Sequence, residues 1–112
     1  MLTLEKIVRM EVRKYASSGE GANARLFPVL DDEFKTYSVI AVDYPTRTHE
    51  ASLVVVLARV VGDKIIIEED TTDKPLVDAL MQKGILRENI ILAYAGEPTD
   101  AYPSRIPQPE YD

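Results

Sequence analysis

Leu4, Ile7, Val8, Val12 and Tyr15 recur at intervals of three and four residues, a spacing that gathers them on one side of a helix. The pattern predicts an amphipathic helix from Thr3 to about Ala16, with the Thr3 hydroxyl as its N-cap. The period lapses through Ser17–Asn23, where Gly19 is positioned to end the helix. A short extended piece follows from Arg25 to Leu30, and Pro28, lacking an N–H, drives it to a sheet edge. Asp31-Asp32-Glu33 form the turn into a second strand, Phe34 to Val42.

The sharpest local expectation comes next. Ser52–Val61 is almost entirely β-branched or aliphatic, and only Gly62-Asp63 separates it from Lys64–Glu69. A two-residue Gly-X loop specifies a type II′ hairpin, since glycine accepts the positive φ at its first central position. That loop pairs Val61 with Lys64, Arg59 with Ile66 and Leu57 with Glu68. One face then carries Val54, Val56, Ala58, Val60, Ile65 and Ile67 and faces the core. The other mixes Val55 and Leu57 with Arg59, Lys64 and Glu68, and makes Arg59 and Glu68 diagonal neighbours able to pair.

Leu76, Val77, Leu80 and Met81 return to helical spacing. Lys83 falls in the last turn and Gly84 at the left-handed cap. After a connector over Leu86–Asn89, Ile90–Tyr94 reads as a last, buried strand. Strand, helix and strand in about thirty residues imply a crossover, which makes the last strand parallel to the fourth. The fold class is therefore α+β: an N-terminal helix, about five strands in a mixed, mostly antiparallel sheet, and one crossover helix. Residues 1–94 form one domain. Residues 95–112 hold four of the seven prolines and form an irregular tail that packs on its own domain or meets a partner.

Charge and composition narrow the classes of function. The chain has a formal net charge of −6 and no cysteine, so disulfides, thiol nucleophiles and zinc ribbons are absent. No apolar run reaches the roughly 20 residues that span a bilayer. Met1–Tyr15 lacks the apolar centre of a signal peptide, so a cytoplasmic location is expected and no membrane contact. Tight, autonomous duplex binding needs a basic patch, and the basic set here is local: Arg9, Arg13, Lys14 and Arg25. These residues define the nucleic-acid alternative.

The candidate chemistry centres on Glu68, Glu69, Asp70 and Asp73. Such carboxylates suit a hard cation, and a metal-dependent enzyme at this acidic turn is one reading. Against it, Glu68 and Glu69 point to opposite faces of a continuing strand. Asp73 and Lys74 lie in the first turn of the next helix, where Thr71, Thr72 or Asp73 offers a capping oxygen and Pro75 is tolerated. The capped turn is the better reading, with no metal and no cofactor. His49 is a lone loop histidine near Ser52 without a G-x-S-x-G elbow. Glu33-Phe34-Lys35 offers only half of a magnesium nuclease pattern, and Gly19-Glu20-Gly21 neither follows a strand nor precedes a helix. No catalytic set emerges. Tyr15, Tyr37 and Tyr94 belong to predicted elements and are assigned to the core. Tyr102, Arg105, Ile106 and Tyr111 in the tail are the candidate partner-binding residues, because tyrosine supplies contact area at low entropic cost.

The wording of the second half resembles the XisI family, named as controlling factors for excision of the fdxN DNA element in filamentous cyanobacteria. The resemblance is carried by Gly62-Asp63-Lys64-Ile65-Ile66-Ile67, the turn Asp70-Thr71-Thr72-Asp73, Leu76-Val77-Asp78-Ala79-Leu80, Gly84-Ile85 and Glu88-Asn89-Ile90-Ile91-Leu92-Ala93-Tyr94. It runs from about Phe34 to Tyr94. The sequence departs from the family's pattern at Asp43-Tyr44 (glycine-tryptophan in the family), around Val56 (a histidine), at Thr71 (a glycine) and in the tail. The resemblance implies a non-enzymatic accessory factor in site-specific DNA rearrangement. It would bind an XisH-like partner of nuclease fold and meet DNA only indirectly. A homo-oligomer through the strand edge near Pro28 or the tail is a further expectation.

Overall fold

The computed structural model describes residues 2–17, 24–43 and 52–103. They form helix α1 (Leu4–Ser17), strands β1 (Ala24–Asp31), β2 (Thr36–Asp43), β3 (Ser52–Val61) and β4 (Lys64–Asp70), helix α2 (Leu76–Gln82) and strand β5 (Ile90–Leu92). The five strands lie in one sheet in sequence order. β1 to β4 are antiparallel and β5 runs parallel to β4, as the crossover requires. The α+β class and the mixed sheet stand as expected.

Both helices cover one face. Val8 and Val12 of α1 and Leu76 and Leu80 of α2 meet Tyr37, Val39, Val56, Ala58, Ile65 and Ile67 in a single core. The Thr3 hydroxyl accepts the Lys6 N–H at 3.2 Å, so the sequence-based N-cap holds. The helix end assigned to Gly19 lies outside the described residues. β1 is the edge strand that Pro28 demanded. The following turn is longer than expected: Asp31 Oδ1 accepts the N–H groups of Glu33 and Phe34 at 2.9 and 3.3 Å. Lys35 takes a positive φ of 51°, which interrupts extension, so β2 starts at Thr36 rather than Phe34.

The hairpin loop is as read. Gly62 has φ +61°, Asp63 is not among the positive-φ residues, and Val61–Lys64 and Arg59–Ile66 pair. Further from the loop, two irregularities change the faces. A register shift after Ala58 makes Leu57 pair with Glu69 instead of Glu68. Another, between β2 and β3, pairs Ile40 with Val54 and turns Val55, not Val54, toward the core. An extra residue in one strand of an antiparallel pair reverses the alternation beyond it.

α2 ends as expected. Gly84 has φ +94°, Gly84 N–H donates to Met81 O at 3.0 Å and Ile85 N–H to Leu80 O at 3.1 Å, the paired bonds of a Schellman cap. The last strand is shorter than expected. Ala93–Ala95 form a 3-10 turn, which Gly96 closes at φ +92°, and Tyr94 is exposed on it rather than buried in a strand. Glu97 secures this ending: its carboxylate accepts the Leu92 N–H at 2.8 Å and pairs with Arg87 at 2.7 Å.

Among the described residues, neither α-helix covers the sheet's second face. At its β4 end Ile66 is fully buried outside the main core, where the Ala93–Ala95 turn packs on β4. Arg59 pairs with Glu68 at 2.7 Å, as anticipated. It also donates to the Tyr102 and Pro103 carbonyls, fixing the C-terminal segment to this face.

Candidate functional site

The acidic turn between β4 and α2 is the most elaborate local arrangement. Its organiser is Asp70. Asp70 Oδ1 accepts the Thr72 N–H at 2.9 Å and the Thr72 hydroxyl at 2.6 Å, while Oδ2 accepts the Leu76 N–H at 2.7 Å. The capping oxygen thus comes from the last residue of β4, not from Thr71, Thr72 or Asp73. Pro75 is the N-cap residue itself, since its carbonyl accepts the Asp78 and Ala79 N–H groups. Asp73 and Lys74 therefore precede the helix instead of lying in its first turn. Proline in the N-cap place leaves no side-chain acceptor there, and the carboxylate of Asp70, six residues before the Leu76 donor, serves in its stead. The Thr71 hydroxyl and N–H both bond the Val55 carbonyl, at 3.0 and 2.9 Å, which ties the turn to β3.

The register shift also revises the face assignment of the neighbouring acids. Glu69 stands opposite Leu57, on the face where Glu68 holds Arg59, so the two glutamates share a face. Asp70, opposite Val56, turns to the helical side. The four acids do not converge, and among the described residues no group of three or more His, Cys, Asp or Glu is arranged to hold a metal ion.

Beside the turn lies an open groove of about 750 Å³ between α1 and α2. Leu26 and Val55 form its floor, Glu11, Lys14 and Tyr15 one wall, Asp78, Ala79 and Gln82 the other, and Thr72–Pro75 its end. The Tyr15 hydroxyl donates to the Lys74 carbonyl. Burial pushes the Tyr15 hydroxyl up to about 12; a bond with Thr72 opposes the shift, and the charges of Asp70, Glu11 and Asp78 add to it. Glu11 is buried at 5 % exposure and is answered by Lys14 at 3.0 Å and Lys83 at 3.9 Å, the second joining α1 to α2. A charged residue at this depth is explained by the approach of α2, whose C-cap Lys83 reaches it.

The basic set is not one surface. Lys14 is engaged by Glu11, and Arg9 faces Asp32 with Nε at 3.4 Å. Arg13 is exposed on α1. Arg25 pairs in register with Val42, and its neighbour Leu26 packs on the core, so Arg25 belongs to the sheet face opposite the helices. Of the tail residues, Tyr102 is half-buried, with its carbonyl held by Arg59. Arg105, Ile106 and Tyr111 lie outside the described residues, as do His49 and Tyr44. Tyr37 is fully buried; burial first, then its bond to Asp32, pushes its hydroxyl up to about 12. Among the described residues, no helix is long and apolar enough to cross a membrane.

A small α+β domain with two helices on one face of a mixed sheet, and its acidic turn committed to capping, defines the class: an XisI-type fold. The XisI protein family matches residues 2–102, nearly the whole chain, and the chain belongs to that family. Two solved structures share the fold. The crystal structure of a XisI-like protein from Anabaena variabilis superposes with TM-score 0.69 at 22% identity, covering 79% of this chain and 81% of that one. That of the fdxN element excision controlling factor XisI from the same organism gives TM-score 0.67 at 21% identity, covering 80% and 88%. No curated protein matches the sequence.

Proposed function

We propose that this protein is a non-catalytic controlling factor of DNA-element excision, acting through an XisH-like partner protein of nuclease fold in the cytoplasm. The observation that carries the reading is the use of Asp70: its two oxygens are spent on backbone and hydroxyl donors of the turn. The carboxylates best placed for chemistry thus have a structural task. Membership of the XisI family supports the process proposed, and the net charge of −6 favours a basic, DNA-handling partner over bare phosphate, since complementary charge speeds encounter. DNA contact is then indirect.

Co-expression with an XisH-like protein tests the proposal. A complex that co-purifies at low salt and weakens as salt rises is expected. Absence of a complex at low salt, or a mobility shift of duplex DNA by this protein alone, would overturn it. Titration with magnesium, manganese and calcium is expected to give no binding heat; a heat saturating at one ion per chain would restore the enzymatic alternative at Glu68–Asp73.

A further inference from the structure

We propose that an apolar strip on the sheet's second face is the seat of the chain's own C-terminal segment, residues 104–112, with Ile106 and Tyr111 as its anchors. The inference goes beyond the proposed function and does not rest on it. Strand register assembles the strip. Val29, Ser38 and Leu57 stand abreast on β1, β2 and β3, and Phe27, Ile40 and Val54 stand abreast in the next row. Leu26, Leu30, Tyr37, Val39, Val56 and Ala58 pack into the core on the helical side, so both rows face away from the helices. None of the six strip residues is charged. Val29 is 50% and Phe27 42% exposed, while Ile40, Val54 and Leu57 are half-buried. Charges border the strip: Arg25 at one end, and Asp31, Arg59, Glu68 and Glu69 at the other.

The chain already enters this face. Arg59, two residues along β3 from Leu57, donates to the carbonyls of Tyr102 and Pro103, and its side chain is only 14% exposed. Residue 104 therefore starts beside the strip. From β3 to β1 is two strand spacings, about 10 Å, and three residues of extended or polyproline chain cover about that distance. Ile106 lies three residues beyond Pro103, within reach of Val29, and Tyr111 reaches Phe27 with chain to spare. Pro103, Pro107 and Pro109 reduce the freedom that the segment loses on settling. Lacking N–H groups, they suit a segment laid over a face better than a strand added at an edge. A second copy of the chain is the poorer occupant, because each copy carries a net charge of −6 and the two repel.

The full chain has no cysteine, so Gln108→Cys gives a single attachment point for a nitroxide spin label. Loss of backbone amide signals near the label is read by NMR. The amides of Phe27, Val29 and Ile40 are expected to lose most of their intensity, while those of Leu80 and Gln82 in α2, across the sheet, keep theirs. Adding Ile106→Asp and Tyr111→Asp to the labelled chain is expected to restore the Phe27 and Val29 signals and leave only the loss beside Pro103. A third sample mixes the spin-labelled chain with an isotope-labelled chain that carries no spin label, whose amides are expected to stay unaffected. Loss confined to residues bordering Pro103 in the first sample overturns the inference. So does loss that survives the double substitution, since tethering alone then accounts for it. Loss in the mixed sample also overturns it and assigns the strip to a second copy. The first and third samples decide even if the double variant fails to fold.

Discussion

At the scale of single residues, two carboxylates hold ends of structure rather than reacting groups. Asp70 closes the start of α2 with a 2.7 Å bond to the Leu76 N–H. Asp70→Ala removes that acceptor and two bonds to Thr72, and is expected to cost about 1–2 kcal/mol, the range of a lost N-cap. Urea unfolding checks this; a loss within error would show that water replaces the carboxylate. Glu97 acts at the other end of the crossover. The Leu92 N–H, then Arg87, hold its carboxyl below the usual 4.5. A depressed folded pKa means that the stabilisation is present above the unfolded value and fades as pH falls through the folded one. Glu97→Gln is therefore expected to flatten the stability–pH curve below about pH 4.5 and leave its shape near pH 7 unchanged. An identical acid limb in both proteins would refute this. The Glu97 side chain is 37% exposed, so solvent screens it and the effect is small, best read as a difference between the two curves.

At the scale of elements, turns decided what the sequence made legible. Gly84 illustrates the readable case: a glycine just beyond an apolar 3–4 repeat signals a left-handed cap, and its φ is +94° with open space around the missing Cβ. Gly84→Ala meets no clash, so the expected loss is the backbone term alone, about 1–2 kcal/mol in thermal or urea unfolding. The Gly62-Asp63 loop likewise fixed the near end of the hairpin. The far end was not readable, because Leu53-Val54-Val55-Val56-Leu57 is apolar at every position, and a run without alternation does not reveal where one residue bulges. That ambiguity concealed the turn of Val55 toward the helical side, and with it the groove floor. The capping role of Asp70 was hidden for a different reason: the acceptor lies six residues from its donor, beyond the local spacings of ordinary capping motifs. The Arg59–Glu68 pair was legible from the hairpin register, but its attachment to the Tyr102 and Pro103 carbonyls depends on a contact more than forty residues away. Arg59→Gln is expected to hasten hydrogen exchange at the Tyr102 amide, which donates to Thr99 at 2.8 Å, while amides of the α1–sheet core keep their protection. Equal rates in both proteins would mean that the segment holds without its arginine.

At the scale of the whole molecule, one charge imbalance acts on two equilibria in opposite directions. Nineteen acidic residues face thirteen lysines and arginines, so like charges repel within the folded chain, and the same excess would attract the basic partner proposed above. Salt weakens both effects, because exposed charges separated by more than about 10 Å are largely screened at 0.1 M. The buried carboxylate of Glu11, paired at close range with Lys14 and Lys83, is screened less than such distant charges. Raising sodium chloride from low to moderate concentration is accordingly expected to raise the melting temperature of the isolated protein slightly, through relief of self-repulsion. The same change is expected to weaken the complex proposed with the XisH-like protein. The opposed signs matter more than either magnitude, since loss of fold would lower both together. If affinity proved indifferent to salt while stability rose, the net charge would be a property of solubility alone. Attraction between this protein and the proposed partner would then have to come from apolar contact rather than from charge.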